Sequence, residues 1–125
     1  MSISSREVPL RPLVGDLCCS PVLQGELRPA EALVLAGALK VLADPARLRL
    51  LSLIRSAPGG RATTGTLAEA LGLTQPTVTH HLGALLRAGF VQRERDGRQT
   101  WYWVDPDGLE AIRQLLDPTP AAERR

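Results

Sequence analysis

Two short apolar segments, joined by a tight glycine-containing connection, constrain this sequence more than any other feature. The first segment, residues 66–72, carries the capping-box pair Thr66 and Glu69 ahead of its apolar positions. The second, residues 74–88, opens on a threonine that can cap a helix and a proline that suits its first turn, and Gly89 ends it. Two short helices joined by such a turn form a helix-turn-helix, which the sequence therefore predicts.

Three further helices and one hairpin are predicted around this pair. The helices cover residues 29–43, 44–57 and 105–117, and the hairpin turns at Asp96-Gly97 within FVQRERDGRQTWYWV. The helix over 29–43 is apolar nearly all round, so we expect it to be buried on two sides, one of them against a second subunit. The last helix should bury the stripe formed by Leu109, Ile112, Leu115 and Leu116. With only four aromatic residues, leucine, alanine and valine must form most of the core, which favours helices.

The chain is expected to hold one domain with two loose ends. We predict an irregular arm over residues 1–27 that carries Cys18 and Cys19, a domain over 28–117 and a disordered tail over 118–125. No signal peptide or membrane span is visible, because the longest apolar stretch is short and contains a lysine. The adjacent cysteines are not a secreted disulfide framework either. A cytoplasmic protein without membrane contact is expected.

The net positive charge is small, but several arginines lie close together in the sequence. The formal net charge is only +2, so charge alone does not argue for nucleic-acid binding. All but one of the basic side chains are arginines, and a cluster of them runs from the end of the second helix of the pair into the hairpin: Arg87, Arg93, Arg95 and Arg98. Arginine suits the recognition of phosphate and guanine better than lysine does. We therefore predict Arg87, Arg95 and Arg98 as DNA contacts.

The adjacent histidines, His80 and His81, allow three interpretations. A helical turn of about 100° per residue buries Val78 and its neighbours and turns His80 outward, with His81 at the edge of the apolar stripe. Metal binding on a helix favours histidines four residues apart, and catalysis needs an acid and a nucleophile that the sequence does not offer. We interpret His81 as a half-buried histidine bonded to backbone, and His80 as a groove contact that Gly83 and Ala84 bring close to DNA. No enzymatic activity is expected.

From Glu31 to Leu116 the chain resembles the ArsR/SmtB family of bacterial metalloregulatory repressors. The resemblance rests on LADPARLRLLSLI, on LTQPTVTHHLGALLRAGFV, and on a DGR hairpin that ends in WYW. It implies a winged helix-turn-helix fold, mainly α with a β-hairpin wing, and a homodimer paired through the first and last helices. It also implies repression through a palindromic double-stranded operator and release by an inducer. The residues of the reading helix would be Gln75, Thr77, Thr79 and His80, and Arg98 would be the wing arginine.

The chain differs from the family that it resembles in the residues that would bind an inducer. The cysteines of many arsenic-responsive members are replaced here by Thr63, Thr64 and Gly65, and the last helix lacks the histidines of zinc-responsive members. Cys18 and Cys19 remain, and soft thiolates select ions such as As(III) or Sb(III). Two thiolates suit methylarsenite, whose third position is filled by carbon. Three alternatives remain: a thiol-redox switch for peroxide or sulfide, an effector-independent DNA-binding protein, and an inert or vestigial cysteine pair in a loose arm. No catalytic cofactor is expected.

Overall fold

A computed structural model describes residues 26–120 and 123 of the chain. It contains five α-helices and a small sheet, as predicted. The helices are α1 (Pro29–Leu42), α2 (Pro45–Ser56), α3 (Thr64–Leu71), α4 (Gln75–Ala88) and α5 (Pro106–Leu116). The strands are β1 (Arg61–Thr63), β2 (Val91–Asp96) and β3 (Gln99–Val104), and a single 3-10 turn (Pro58–Gly60) leads into β1. Residues 1–25 of the predicted arm and half of the predicted tail lie outside the described residues.

Local hydrogen bonds at the helix ends explain where these helices begin and stop. Oδ1 of Asp44 accepts from the backbone N–H groups of Ala46 and Arg47, at 2.9 and 3.1 Å, so α2 has the predicted cap. Gly72 and Gly89, with φ of +69° and +92°, close α3 and α4 in the left-handed conformation that glycine adopts without strain. These two glycines fix the length of the helix-turn-helix.

The predicted capping box at Thr66 and Glu69 is wrong. Thr63 is the N-cap of α3, and its hydroxyl accepts from the backbone N–H of Thr66 at 3.3 Å. Thr63 is also the last residue of β1, whose extended backbone places the hydroxyl over the first turn of the helix. The first helix of the pair therefore begins at Thr64, two residues before the predicted start.

The sheet is antiparallel with strand order β1-β3-β2. Asp96 pairs with Gln99, so the loop of the hairpin consists of Gly97 and Arg98. Gly97 has φ of +65° and no described non-glycine residue has positive φ, which fits a type II′ turn with glycine first. The turn is therefore one residue later than the predicted Asp-Gly pair, and Arg98 lies at its tip. The short strand β1 was not predicted, and it extends the hairpin to three strands.

The core forms where α4 packs against α1, α2 and the base of the sheet. Val78, Leu82 and Leu85 on the inner face of α4 are fully buried, as the helical periodicity predicted. They lie in one cluster with buried residues of the other elements: Leu35, Ala38, Leu50, Ile54, Leu67, Phe90, Val91, Tyr102 and Ala111. Since its inner face is held on several sides, α4 presents a fixed outer face.

The first and last helices keep apolar side chains on the surface of the single chain. On α1, Leu33 is 76% exposed, whereas Leu35 is buried. On α5, Leu116 is 68% exposed and Leu115 is also exposed, so the predicted stripe is only partly buried. The buried residues of α5 are Gly108, Ala111 and Ile112, because the close approach to Gly89 occurs at its first turn.

Candidate nucleic-acid interface

The outer face of α4 is polar and accessible along its whole length. All seven residues predicted as DNA contacts are exposed: Gln75, Thr77, Thr79, His80, Arg87, Arg95 and Arg98. The hydroxyl of Thr74 caps α4 by accepting from the backbone N–H of Thr77 at 3.4 Å, and it donates to the Thr77 hydroxyl at 2.9 Å. The predicted cap is thus present, and it fixes the rotamer of a threonine at the helix start.

The tip of the wing lies beside the N-terminal half of α4. A single open cleft of about 300 Å³ is lined by residues from α4, the wing and the start of α3: Thr63, Thr64, Gly65, Gln75, Thr79, Arg98, Gln99 and Thr100. Three of the predicted contacts, Gln75, Thr79 and Arg98, therefore share one surface although Arg98 is far from the other two in sequence. The lining consists of hydroxyls, amides, glycine and one guanidinium, groups that donate hydrogen bonds to phosphates and base edges. The α3 and β3 members of this surface were not predicted.

The two histidines differ in environment, as predicted, but His81 has a different partner. His80 is exposed and His81 is half-buried, with ring centroids 5.8 Å apart and ring planes tilted by 60°. Nδ1 of His81 accepts from Nε of Arg47 at 3.1 Å, so its partner is a side chain rather than the backbone. Sequence periodicity gave the exposure of each histidine, whereas the contact with Arg47 depends on how α2 and α4 pack.

Of the two small residues predicted to face outward beside His80, only Gly83 does so. Ala84 is only 9% exposed and lies on the buried side of α4, so it does not face outward as predicted. Gly83 remains partly exposed, and a Cβ atom there would lie 3.3 Å from Nη1 of Arg87. Close approach of a ligand to this face of α4 therefore depends on Gly83.

The arginines of the wing are held in different ways. Nε of Arg95 donates to the carbonyl of Gly97 at 3.1 Å, which draws this side chain back across the turn. Arg98 projects from the tip into the cleft shared with α4. Elsewhere on the sheet, Arg61 stacks on Trp101 with its guanidinium carbon 4.3 Å from the ring centroid. The tip of the wing therefore offers Arg98 as a cation beside α4.

The Glu110 carboxylate of α5 is engaged within the chain. Nε and Nη2 of Arg113 donate to the Glu110 carboxylate at 2.8 and 2.5 Å, and Nε2 of Gln114 adds a bond at 3.1 Å. These hydrogen bonds, the Arg113 pair first, lower the pKa of Glu110 to about 2. Within residues 26–120, no group of three or more histidine, cysteine and acidic side chains is placed to hold a metal ion. Cys18 and Cys19, the predicted metal ligands, lie outside the described residues.

Comparisons with known proteins agree on a transcriptional regulator. The sequence pattern of a family described as "Helix-turn-helix domain" matches residues 42–94. The chain is 39% identical over 93 residues to a probable mercury resistance operon repressor of Streptomyces lividans, covering 70% of this chain and 72% of that one. It is 36% identical over 112 residues to a biofilm growth-associated repressor of Agrobacterium fabrum, with 88% of each chain covered.

Solved structures agree with the fold of the chain. The crystal structure of a possible transcriptional regulator for arsenical resistance superposes with a TM-score of 0.58 at 37% identity, covering 63% of this chain and 79% of that one. This match covers a larger share of the chain than the helix-turn-helix pattern over residues 42–94 does. In the described part of the chain, no helix combines the length and apolar character that crossing a membrane requires.

Proposed function

Because this chain belongs to the ArsR/SmtB family of winged helix-turn-helix transcriptional regulators, we propose that it is a repressor whose effector is a thiophilic metalloid. It binds a palindromic operator as a cytoplasmic homodimer and leaves the DNA when trivalent arsenic binds. The observation that carries the DNA-binding part is the cleft in which Gln75 and Thr79 of α4 meet Arg98 of the wing. A helix and a hairpin tip side by side can engage a groove and the adjacent backbone together.

The proposed contacts divide into two groups. Gln75, Thr77, Thr79 and His80, on the first half of α4, carry short donors and acceptors that suit base edges and neighbouring phosphates. Arg87, Arg95 and Arg98 are cations at the end of α4 and on the wing, where they suit phosphates or the minor groove. The first group would set the operator sequence, and the second would supply affinity that depends on salt.

The proposed effector site is the adjacent pair Cys18 and Cys19, the only thiols of the chain. Relatives named for arsenical and for mercury resistance support a thiophilic effector in general, and Sb(III) belongs to the same chemical class. Inorganic arsenite can take three thiolates, whereas one subunit offers two. Methylarsenite needs only two, so this chain should respond to methylarsenite at least as well as to arsenite.

The test is operator binding measured by fluorescence anisotropy on the DNA upstream of the gene. Wild-type protein should bind specifically, and His80→Ala should weaken this binding by about 1–3 kcal/mol, the value of a good base contact, with the melting temperature little changed. If the free energy of unfolding falls as much as the free energy of operator binding, His80 is a structural residue rather than a DNA contact. Absence of specific binding by folded wild type would contradict the repressor.

The effector is identified by titrating the bound complex with arsenite, methylarsenite, antimonite, mercury, cadmium, zinc, peroxide and sulfide. Cys18→Ser/Cys19→Ser should keep full operator affinity and lose the response to arsenicals. If the double variant still leaves DNA with arsenite or methylarsenite, the effector site is elsewhere. Release of the wild type by peroxide or sulfide alone would indicate a redox switch, and indifference to every addition would indicate an effector-independent DNA-binding protein.

A further inference from the structure

The side chain of Arg47 joins three helices at one point. Its Nε donates to Nδ1 of His81 on α4 at 3.1 Å, and its Nη1 donates to the carbonyl of Val41 on α1 at 3.3 Å. Its own backbone N–H donates to Asp44, the cap of α2, at 3.1 Å. The end of α1, the start of α2 and the middle of α4 therefore meet at one guanidinium.

Each of these two side-chain contacts satisfies a specific hydrogen-bonding group. The Val41 carbonyl is among the last four of α1, which have no partner within the helix, and a cation at a helix C-terminus is favoured by the helix dipole. Arginine is a permanent cation with donors only, so the ring nitrogen that it meets must be an acceptor. Nδ1 of His81 must therefore be unprotonated, with the ring proton on Nε2, for this bond to exist.

The position of His81 gives the bond a consequence for DNA binding. His81 is half-buried at the inner edge of α4, and the next residue toward the N-terminus, His80, is exposed on the proposed reading face. Adjacent helical residues differ by about 100° in direction, so the bond to the His81 ring on the inner side adds a polar restraint to the rotation of α4 that its buried apolar face already sets. The directions of Thr79 and His80 are then held more narrowly than by the apolar contacts alone.

We propose that Arg47 is a positioning residue for operator binding, and that its bond to His81 makes operator binding sensitive to acid. Both halves of this inference rest on the proposed repressor function, whereas the bond itself does not. When Nδ1 of His81 takes up a proton, the acceptor is lost and two cationic groups face each other. The contact between α2 and α4 then loosens, and the reading face of α4 is held less firmly.

Three charged or titratable groups surround His81 in the described structure. Arg47 opposes a positive charge on the ring, whereas the Asp44 carboxylate favours one, and backbone N–H donation from Arg47 and Ala46 keeps the pKa of Asp44 low. His80 lies beside it on the same helix. A proton on His80 would attract DNA phosphates, so its effect on binding has the opposite sign to that expected for His81.

The bond is tested first without DNA, by nitrogen-15 NMR of the two histidine rings in the full chain. At neutral pH, Nδ1 of His81 should be unprotonated and Nε2 protonated, and Arg47→Ala should return the ring to a mixture of both tautomers. Arg55→Ala, which removes an exposed arginine at the other end of α2, should leave the His81 ring unchanged. A proton on Nδ1 of His81 in the wild type would overturn the inference, whatever the protein binds.

Positioning is tested by operator affinity at constant salt. Arg47→Ala should weaken specific binding about tenfold, as expected for a lost hydrogen bond to a charged donor, whereas Arg55→Ala removes the same charge with little effect. Both variants should bind non-specific DNA about equally. If both variants lose the same amount of operator affinity, Arg47 contributes only its positive charge, and its positioning role is overturned.

Acid sensitivity is tested in a His80→Gln background, so that His81 is the only histidine left. His81→Asn keeps an acceptor near the Nδ1 position but does not titrate. As the pH is lowered from neutral at constant salt, operator affinity of His80→Gln should fall several-fold, whereas that of His80→Gln/His81→Asn should stay flat. Parallel pH profiles would overturn the inference, while failure of the wild type to bind operator would contradict only the repressor function.

Discussion

Gly83 and Gly108 both lie in helices, but the space around them differs: a methyl group could be added at Gly83, whereas backbone atoms block it at Gly108. At Gly83, an added methyl group would meet only the mobile end of Arg87, at 3.3 Å. At Gly108, it would lie 2.0 Å from the backbone oxygen of Gly89, which cannot move aside without shifting the end of α4. The first glycine is therefore dispensable for folding, and the second is required by the close approach of α5 to the α4 terminus.

Gly83→Ala should stabilise the protein and weaken its binding to operator DNA. Alanine is favoured over glycine inside a helix by up to about 1 kcal/mol, whereas the new methyl group stands on the face of α4 proposed to approach the groove. Thermal unfolding and anisotropy titrations on the same preparation measure both effects. A rise in stability with unchanged operator affinity would show that this part of α4 does not approach the DNA.

Gly108→Ala should destabilise the fold, because overpacking against backbone typically costs about 1–3 kcal/mol. In a domain of this size, each 1 kcal/mol corresponds to roughly 4–8 °C in melting temperature. Operator affinity below the transition should change little, since Gly108 is buried away from the outer face of α4. A melting temperature equal to that of the wild type would mean that α5 packs differently at its first turn.

Among the elements, the wing combines predictable and unpredictable features. Alternating β-formers around Asp96-Gly97 predicted a hairpin, and the structure contains one, with the turn shifted by one residue so that Arg98 occupies the tip. A guanidinium at the tip of a two-residue loop can move with little cost, so it can follow a phosphate or enter a minor groove. Its contribution to DNA binding should therefore be mainly electrostatic.

Arg98→Ala should weaken specific and non-specific DNA binding together and reduce the log-log salt slope by about one unit. The reason is that one phosphate contact releases about one counterion. Arg49→Ala, which removes an exposed arginine from α2, serves as the control and should keep the wild-type slope. If the two variants give the same slope, the wing tip is not part of the contact surface.

The sequence predicted the helix ends that depend on residues within one turn. It did not predict the contacts that depend on how distant segments pack. The ends of α2 and α4 were predictable because Asp44, Thr74 and Gly89 act within one turn of themselves. The cap at Thr63 was not, because its extended backbone follows from pairing of β1 with a strand almost forty positions later. The bond between Arg47 and His81 spans 34 positions, so no local pattern could indicate it.

On the scale of the whole molecule, the described chain leaves apolar surface on its first and last helices. Leu33 and Leu39 of α1 and Leu115 and Leu116 of α5 are all at least 37% exposed. Exposed leucines on α1 contrast with the burial of Leu35 on another side of the same helix, as expected for a helix covered on two sides. A second copy of the chain, paired through α1 and α5, is the cover that we propose, and it would also place two reading helices on one palindromic operator.

A charge on this surface should separate the two copies without unfolding either. Leu33→Glu/Leu116→Glu is expected to sediment as a monomer, because two carboxylates per chain would have to be buried without partners in the dimer. Each monomer should still unfold cooperatively, yet operator affinity should fall by at least about tenfold, since the two half-sites would no longer be bound as one unit. Leu48→Glu, at a leucine of α2 that is 52% exposed, is the matched control and should remain dimeric. A double variant that sediments and binds operator like the wild type would exclude α1 and α5 as the interface, whereas monomeric wild type with full operator affinity would exclude the dimer itself.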